Sequence, residues 1–139
     1  MTAAARPPLV PRGEEKLFYD RLRDHELVFQ RCAACANAVF PLRTVCPHCA
    51  GEELALEVSA GRGTLYSFTT QHRASHPHFA DSVPYSLGLV DLDEGIRVFA
   101  SVDGIAPDDL AVGMPVQLGF DDVEDGLTLL RIRATGAGE

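Results

Sequence analysis

A chain of 139 residues that is 46% hydrophobic and 23% charged has the balance of a soluble globular protein, with room for one domain or two small modules. Its 12 Lys plus Arg stand against 20 Asp plus Glu, a formal charge of -8, so the summed field repels a polyanion and general nucleic-acid binding is disfavoured. No stretch approaches the roughly 18 consecutive apolar residues of a membrane-spanning helix, so no membrane association is expected.

The opening segment, residues 1–12, mixes Ala and Pro with two Arg and has no continuous apolar run of the secretory kind. It reads as a mobile tail, and the chain is expected in a reducing cytoplasm where cysteines stay thiols. Residues 13–25 then read as a short helix: Glu14 to about Asp24 puts Leu17, Phe18 and Leu22 on one narrow stripe, which must dock on its own chain or on a partner.

Residues 26–60 read as a small metal ribbon. Glu26 to Arg31 alternates as a strand leading into Cys32, two Cys-x-x-Cys knuckles follow, and Glu53 to Val58 alternates again as a closing strand. Residues 61–135 read as a five-stranded barrel, with strands near Arg62–Arg73, Tyr85–Asp91, Gly95–Val102, Pro115–Asp121 and Leu127–Arg133. Asp93-Glu94-Gly95 marks a hairpin, Ala106 to Leu110 a single helical turn, and Gly61-x-Gly63 a hinge between ribbon and barrel. Three strands, a helical turn and two more strands is the order of an OB fold. An antiparallel sandwich fragment has the same strand count and is the competing reading. Residues 136–139 read as a tail. The expected fold is therefore mainly β: an N-terminal helix, a small zinc ribbon, then a five-stranded OB-fold barrel.

Cys32, Cys35, Cys46 and Cys49 form the pattern Cys-x2-Cys-x10-Cys-x2-Cys. Two intervening residues let both thiolates of a knuckle reach one ion, and the hairpin between knuckles folds the second pair back to complete a tetrahedron. Disulfides are disfavoured by compartment, and unpaired buried thiols do not account for two matched pairs. A ribbon of this size has too few apolar residues to fold by burial alone, whereas structural zinc supplies on the order of 10 to 16 kcal/mol in small peptides. Four thiolates leave no open position for an activated water, so the ion is structural. Iron in a rubredoxin-like site takes the same ligands, and zinc versus iron stays open. His48, inside the second knuckle, reads as an exposed bystander.

Taken in order, Cys32-Ala33-Ala34-Cys35, Phe40-Pro41-Leu42-Arg43, Cys46-Pro47-His48-Cys49, Gly63 to Thr69, Pro84-Tyr85, Glu94 to Val98 and Gly113-Met114-Pro115-Val116 resemble a known family. It is the family of zinc-ribbon plus OB-fold proteins associated with acyl-CoA metabolism, formerly a domain of unknown function. The family usually carries Gly after the first knuckle; here Ala36 and Asn37 stand there, and Asn37 is expected to take the left-handed turn. The resemblance implies an accessory protein that binds a thiolase-like enzyme, a thiolase or a steroid side-chain aldolase, as a hetero-oligomer. It also implies help in holding the CoA ester.

Outside the ribbon, Arg73, His76 and His78 lie in one polar loop, where they would contact acyl-CoA phosphates or a partner. A solvated loop is the equal alternative, and a second metal held by His72, His76 and His78 ranks below both. No catalytic residue is assigned: the serines lack a Gly-x-Ser-x-Gly setting, and the carboxylates cluster at turns. The alternative function is a single-stranded nucleic-acid-binding module. It is disfavoured by charge and by Tyr66, Phe68, Tyr85 and Phe99, which alternate as core members would.

Overall fold

The structure, a computed structural model, describes residues 5–135; the expected tail at 136–139 and the first four residues of the one at 1–12 lie outside the described residues. The helix α1 spans Glu14–Arg23. Glu14 and Glu15 in its first turn and Arg21 and Arg23 in its last complement the helix dipole, and Lys16 and Arg23 both reach Asp20 at 2.8 Å. Of the apolar stripe, Leu22 is buried, Phe18 is half-buried and Leu17 is exposed. The chain leaves α1 through His25, in the left-handed region at φ 60°.

The ribbon is a three-stranded antiparallel sheet in the order β2-β1-β3, from β1 (Val28–Cys32), β2 (Ala38–Val39) and β3 (Leu54–Val58). Five strands then close a barrel: β4 (Arg62–Gln71), β5 (Tyr85–Leu92), β6 (Arg97–Val102), β7 (Pro115–Asp122) and β8 (Thr128–Ala134), in the order β4-β5-β6-β8-β7. Antiparallel pairing of β4 with β7, at Arg62 opposite Gln117, and parallel pairing of β6 with β8, at Ser101 opposite Arg131, complete the closure. That closure decides for the OB fold and against an open sandwich fragment. β6 begins at Arg97, two residues later than expected, because Gly95 sits in the turn at φ 99°. The helical turn after β6 is a one-turn 3-10 helix at Pro107–Asp109.

Ribbon and barrel share a core. Leu27 and Phe29, just before and within β1, are fully buried with Leu65, Val90, Val98 and Ile132 of the barrel, while Phe18 of α1 and Phe40 after β2 pack against the same cluster. The junction read as a hinge is tied down. Glu94 of the β5–β6 hairpin accepts hydrogen bonds from the Ser59 hydroxyl and the Ala60 amide, both at 2.8 Å. Gly63 has a different reason to be glycine: inside β4 its backbone lies so close to the Asp91 carbonyl that a Cβ would collide with it.

Candidate metal centre and adjoining cleft

Each cysteine pair lies on a tight turn closed in the same way. After Cys32 ends β1, the Ala36 amide donates to the Cys32 carbonyl at 2.9 Å and the Cys32 amide to the Asn37 carbonyl at 3.1 Å. In the second knuckle Ala50 donates to Cys46 at 2.9 Å and Cys46 to Gly51 at 2.8 Å. The residue that closes back on the first cysteine immediately follows the second, so Ala36 and Ala50 take the left-handed conformation, at φ 64° and 65°. The expectation for Asn37 is thereby corrected. Its side-chain amide instead donates to Cys35 Sγ at 3.3 Å.

The four Sγ atoms lie within 4.8 Å of one another, with Cys32 to Cys49 at 3.6 Å and Cys35 to Cys46 at 3.7 Å. A tetrahedral ion with metal–sulfur bonds near 2.3 Å sets its sulfurs about 3.8 Å apart, so the donor set and its spacing fit such an ion. These separations are far beyond a sulfur–sulfur bond, and all four residues are free cysteines. His48 is exposed and its ring lies outside the cluster, although its backbone amide donates to Cys46 Sγ at 3.4 Å. At Gly51 a Cβ would stand 3.3 Å from the Cys32 and Cys49 sulfurs, so glycine keeps that side clear.

The thiols are unequal. The backbone amide of Asn37, and then its side-chain amide, lower the Cys35 thiol to about 6. The Gly51 amide pulls Cys49 down, but contacts with the Cys32 and Cys35 thiols, desolvation and the Cys46 thiol together hold it up at about 12. Amide donors around a thiolate cluster are the groups that stabilise it once a cation shares the charge.

Beside the ribbon a cleft of about 760 Å³ opens between α1, the segment after β2, the outer wall of the barrel and the loop before β5. Phe18 and Tyr19 line it from the helix, Phe40 from the ribbon, and Leu87, Leu129 and Arg131 from the barrel. Arg131 is already paired: it meets Asp121 at 2.9 Å and donates to the Ser101 hydroxyl at 2.6 Å. At the rim, Arg6 pairs with Glu124 at 2.9 Å. Burial, and then the charge of Glu15, raise the Tyr19 pKa, so its phenol stays protonated.

Of the loop residues singled out in the sequence, His76 and His78 come together and Arg73 does not join them. Arg73 is exposed on the bend after β4. His76 caps a one-turn 3-10 helix (Pro77–Phe79), its Nδ1 accepting from the His78 amide at 3.0 Å. Both imidazoles meet the Phe79 ring, and His78 lies at the cleft rim. Among the described residues the four cysteines are the only His, Cys, Asp or Glu cluster with metal-holding geometry.

The barrel aromatics need correction. Phe68 packs on the core, but Tyr66 is 48% and Phe99 62% exposed. A bulge between Leu65 and Ser67 makes Tyr66 an extra residue on β4, and on β6 Val98 and Ala100 turn inward, which puts Phe99 outside. Arg97 stacks 3.5 Å from the Tyr66 ring centroid while holding Asp91 at 2.6 and 3.1 Å. The cleft and its Tyr19 and Arg131 escape a sequence reading, because no local pattern joins four segments spread from α1 to β8.

Residues 20–55 match the family model described as the ChsH2 rubredoxin-like zinc ribbon domain, and residues 57–121 the ChsH2 C-terminal OB-fold domain. The chain is 36% identical over 126 residues, 91% of its length, to a Thermomonospora curvata protein named probable enoyl-CoA hydratase alpha subunit, of which it spans 39%. It is 36% identical over 95 residues, 68% of its length, to the benzoylsuccinyl-CoA thiolase subunit BbsA of Thauera aromatica, of which it spans 63%. It thus spans less than two thirds of either relative. A solved chain titled "Ltp2-ChsH2(DUF35) aldolase" superposes with a TM-score of 0.80 at 36% identity, over 92% of this chain and 98% of that one. Among the described residues no helix is long and apolar enough to cross a membrane.

Proposed function

This chain belongs to the ChsH2 (DUF35) family of zinc-ribbon and OB-fold proteins, and on that premise we propose that it is a non-catalytic accessory subunit of a thiolase-like enzyme acting on acyl-CoA esters. The observation that carries this reading is the likeness, over 98% of that solved chain, to the Ltp2-ChsH2(DUF35) aldolase. The likeness to a named thiolase subunit supports the same partner class.

In this reading Cys32, Cys35, Cys46 and Cys49 hold one structural zinc, with iron as the competing ion for the same four thiolates. Four protein donors leave no place for a substrate or a metal-bound water, so the ion sets shape and does not react. Because Phe29 and Phe40 run from the ribbon into the shared core, fixing the knuckles also fixes how α1 and the barrel face a partner. Arg73, His76 and His78 are proposed contacts to the CoA ester or to the partner.

The nucleic-acid reading gains one observation, the exposed Tyr66 and Phe99. Against it stand the charge of -8 and the pairing of Arg97 with Asp91, which leaves little cationic attraction beside the rings.

Co-purification with thiolase-like enzymes, together with metal analysis, tests the proposal. The wild-type chain is expected to carry one zinc and to retain such a partner, and Cys46→Ala to lose both. A Cys46→Ala chain that keeps metal and partner overturns the assignment. Salt-sensitive binding to a single-stranded oligonucleotide, without partner retention, would favour the alternative.

A further inference from the structure

The cleft against α1 has the size of a small-molecule site, about 760 Å³, within the usual range of roughly 300–1,000 Å³. Its chemistry is specific. Phe18, Phe40, Leu87 and Leu129 supply apolar walls from three parts of the fold. The two arginines that border it are already neutralised, Arg131 by Asp121 and Arg6 by Glu124. A phosphate placed there would have to displace a carboxylate from its ion pair, whereas an uncharged body displaces only water. Among the described residues no hydrogen bond reaches the Tyr19 hydroxyl, which lines the same space as a protonated donor.

Resting on the accessory-subunit reading, we propose that this cleft takes the uncharged acyl portion of the CoA ester, a bulky apolar group bearing a keto or hydroxyl oxygen that accepts from Tyr19. The nucleotide end, with its phosphates, stays outside. The subunit then contributes to which acyl chains the complex accepts, and it does so without touching the reacting bond. Leu87 and Leu129 read chain bulk, and Tyr19 reads the oxygen.

Calorimetric titration of the zinc-loaded full chain with decanoyl-CoA, 3-oxodecanoyl-CoA, acetyl-CoA and free CoA tests this. Decanoyl-CoA is expected to bind at least about tenfold tighter than acetyl-CoA, since each buried methylene adds to the transfer free energy. Leu87→Trp, which fills the cleft from its barrel wall, is expected to erase that preference while the thermal midpoint and zinc content hold. Tyr19→Phe keeps the ring and is expected to remove only the advantage of 3-oxodecanoyl-CoA over decanoyl-CoA, a factor of about three to ten. Equal binding of decanoyl-CoA and acetyl-CoA by the wild-type chain, or a decanoyl preference that survives Leu87→Trp, overturns the proposal. Failure to co-purify with any thiolase-like enzyme while the acyl preference persists sinks the accessory reading and leaves the cleft standing; the converse sinks the cleft alone.

Discussion

Glu94 holds Ser59: the carboxylate in the β5–β6 hairpin accepts from the serine hydroxyl at 2.8 Å and with its other oxygen takes the amide of Ala60 at 2.8 Å. The Ser59 oxygen in turn accepts from the Gly61 amide at 2.9 Å, so a single acidic side chain pins the ribbon-to-barrel joint. Glu94→Ala should lower stability by about 1–3 kcal/mol, because charge-assisted bonds are lost and two donors are left to water. Denaturant titration, with hydrogen exchange at residues 59–61, would show it. Unchanged exchange there would mean that the joint is held by other groups.

Phe29 lies in the ribbon sequence but in the barrel core, fully buried among Leu65, Val90 and Ile132. Phe29→Ala should cost about 3–5 kcal/mol. Ribbon and barrel should then melt together in one lowered transition, followed at once by the metal site and by β-sheet circular dichroism. Two separated transitions in the wild-type chain would contradict a shared core.

Ala36 and Ala50 occupy left-handed positions that glycine takes without steric cost. Ala36→Gly should be neutral to stabilising by about 0.5–1 kcal/mol, since relief of the Cβ clash outweighs the entropy added to the unfolded chain. The change should slow zinc transfer to a chelator. Faster transfer from Ala36→Gly would argue against strain at this knuckle.

Asp122 accepts from the Thr128 hydroxyl at 2.6 Å and from His25 Nε2 at 3.0 Å, and these bonds, the first the larger, lower its pKa below the ordinary 3.8. A carboxylate held low when folded adds stability that is complete above the unfolded pKa and is lost as pH falls through the folded value. Below about pH 4 the tie between the end of α1 and β7 should therefore weaken. Thr128→Val should move the Asp122 titration upward by NMR and flatten the acid limb of the stability curve; an unmoved titration would leave the hydroxyl without this role.

The cysteine cluster was legible because knuckle spacing alone brings thiols together, and the barrel strands because alternation with turn residues is a local signal. What alternation cannot say is which of its two faces is inside. In Val98-Phe99-Ala100 the smaller residues go in, since the interior of a small barrel near Leu65 and Ile132 has no room for another ring. The bulge at Tyr66 is a register event between two strands, invisible in either one. At Ala36, propensity favours the neighbouring Asn37, but the hydrogen bond to the Cys32 carbonyl fixes which residue must turn left-handed. The cleft depends on tertiary placement of α1 against β8, which no window of sequence contains.

In the proposed role this chain supports carbon–carbon chemistry carried out by a partner. The direct measurement is turnover of an acyl-CoA ester, by thiolysis or retro-aldol cleavage, for the purified chain, for a candidate thiolase-like enzyme and for the two together. No turnover is expected from the zinc-loaded chain alone, and a rise is expected when it is joined with that enzyme. Turnover by the chain alone would contradict the proposed role.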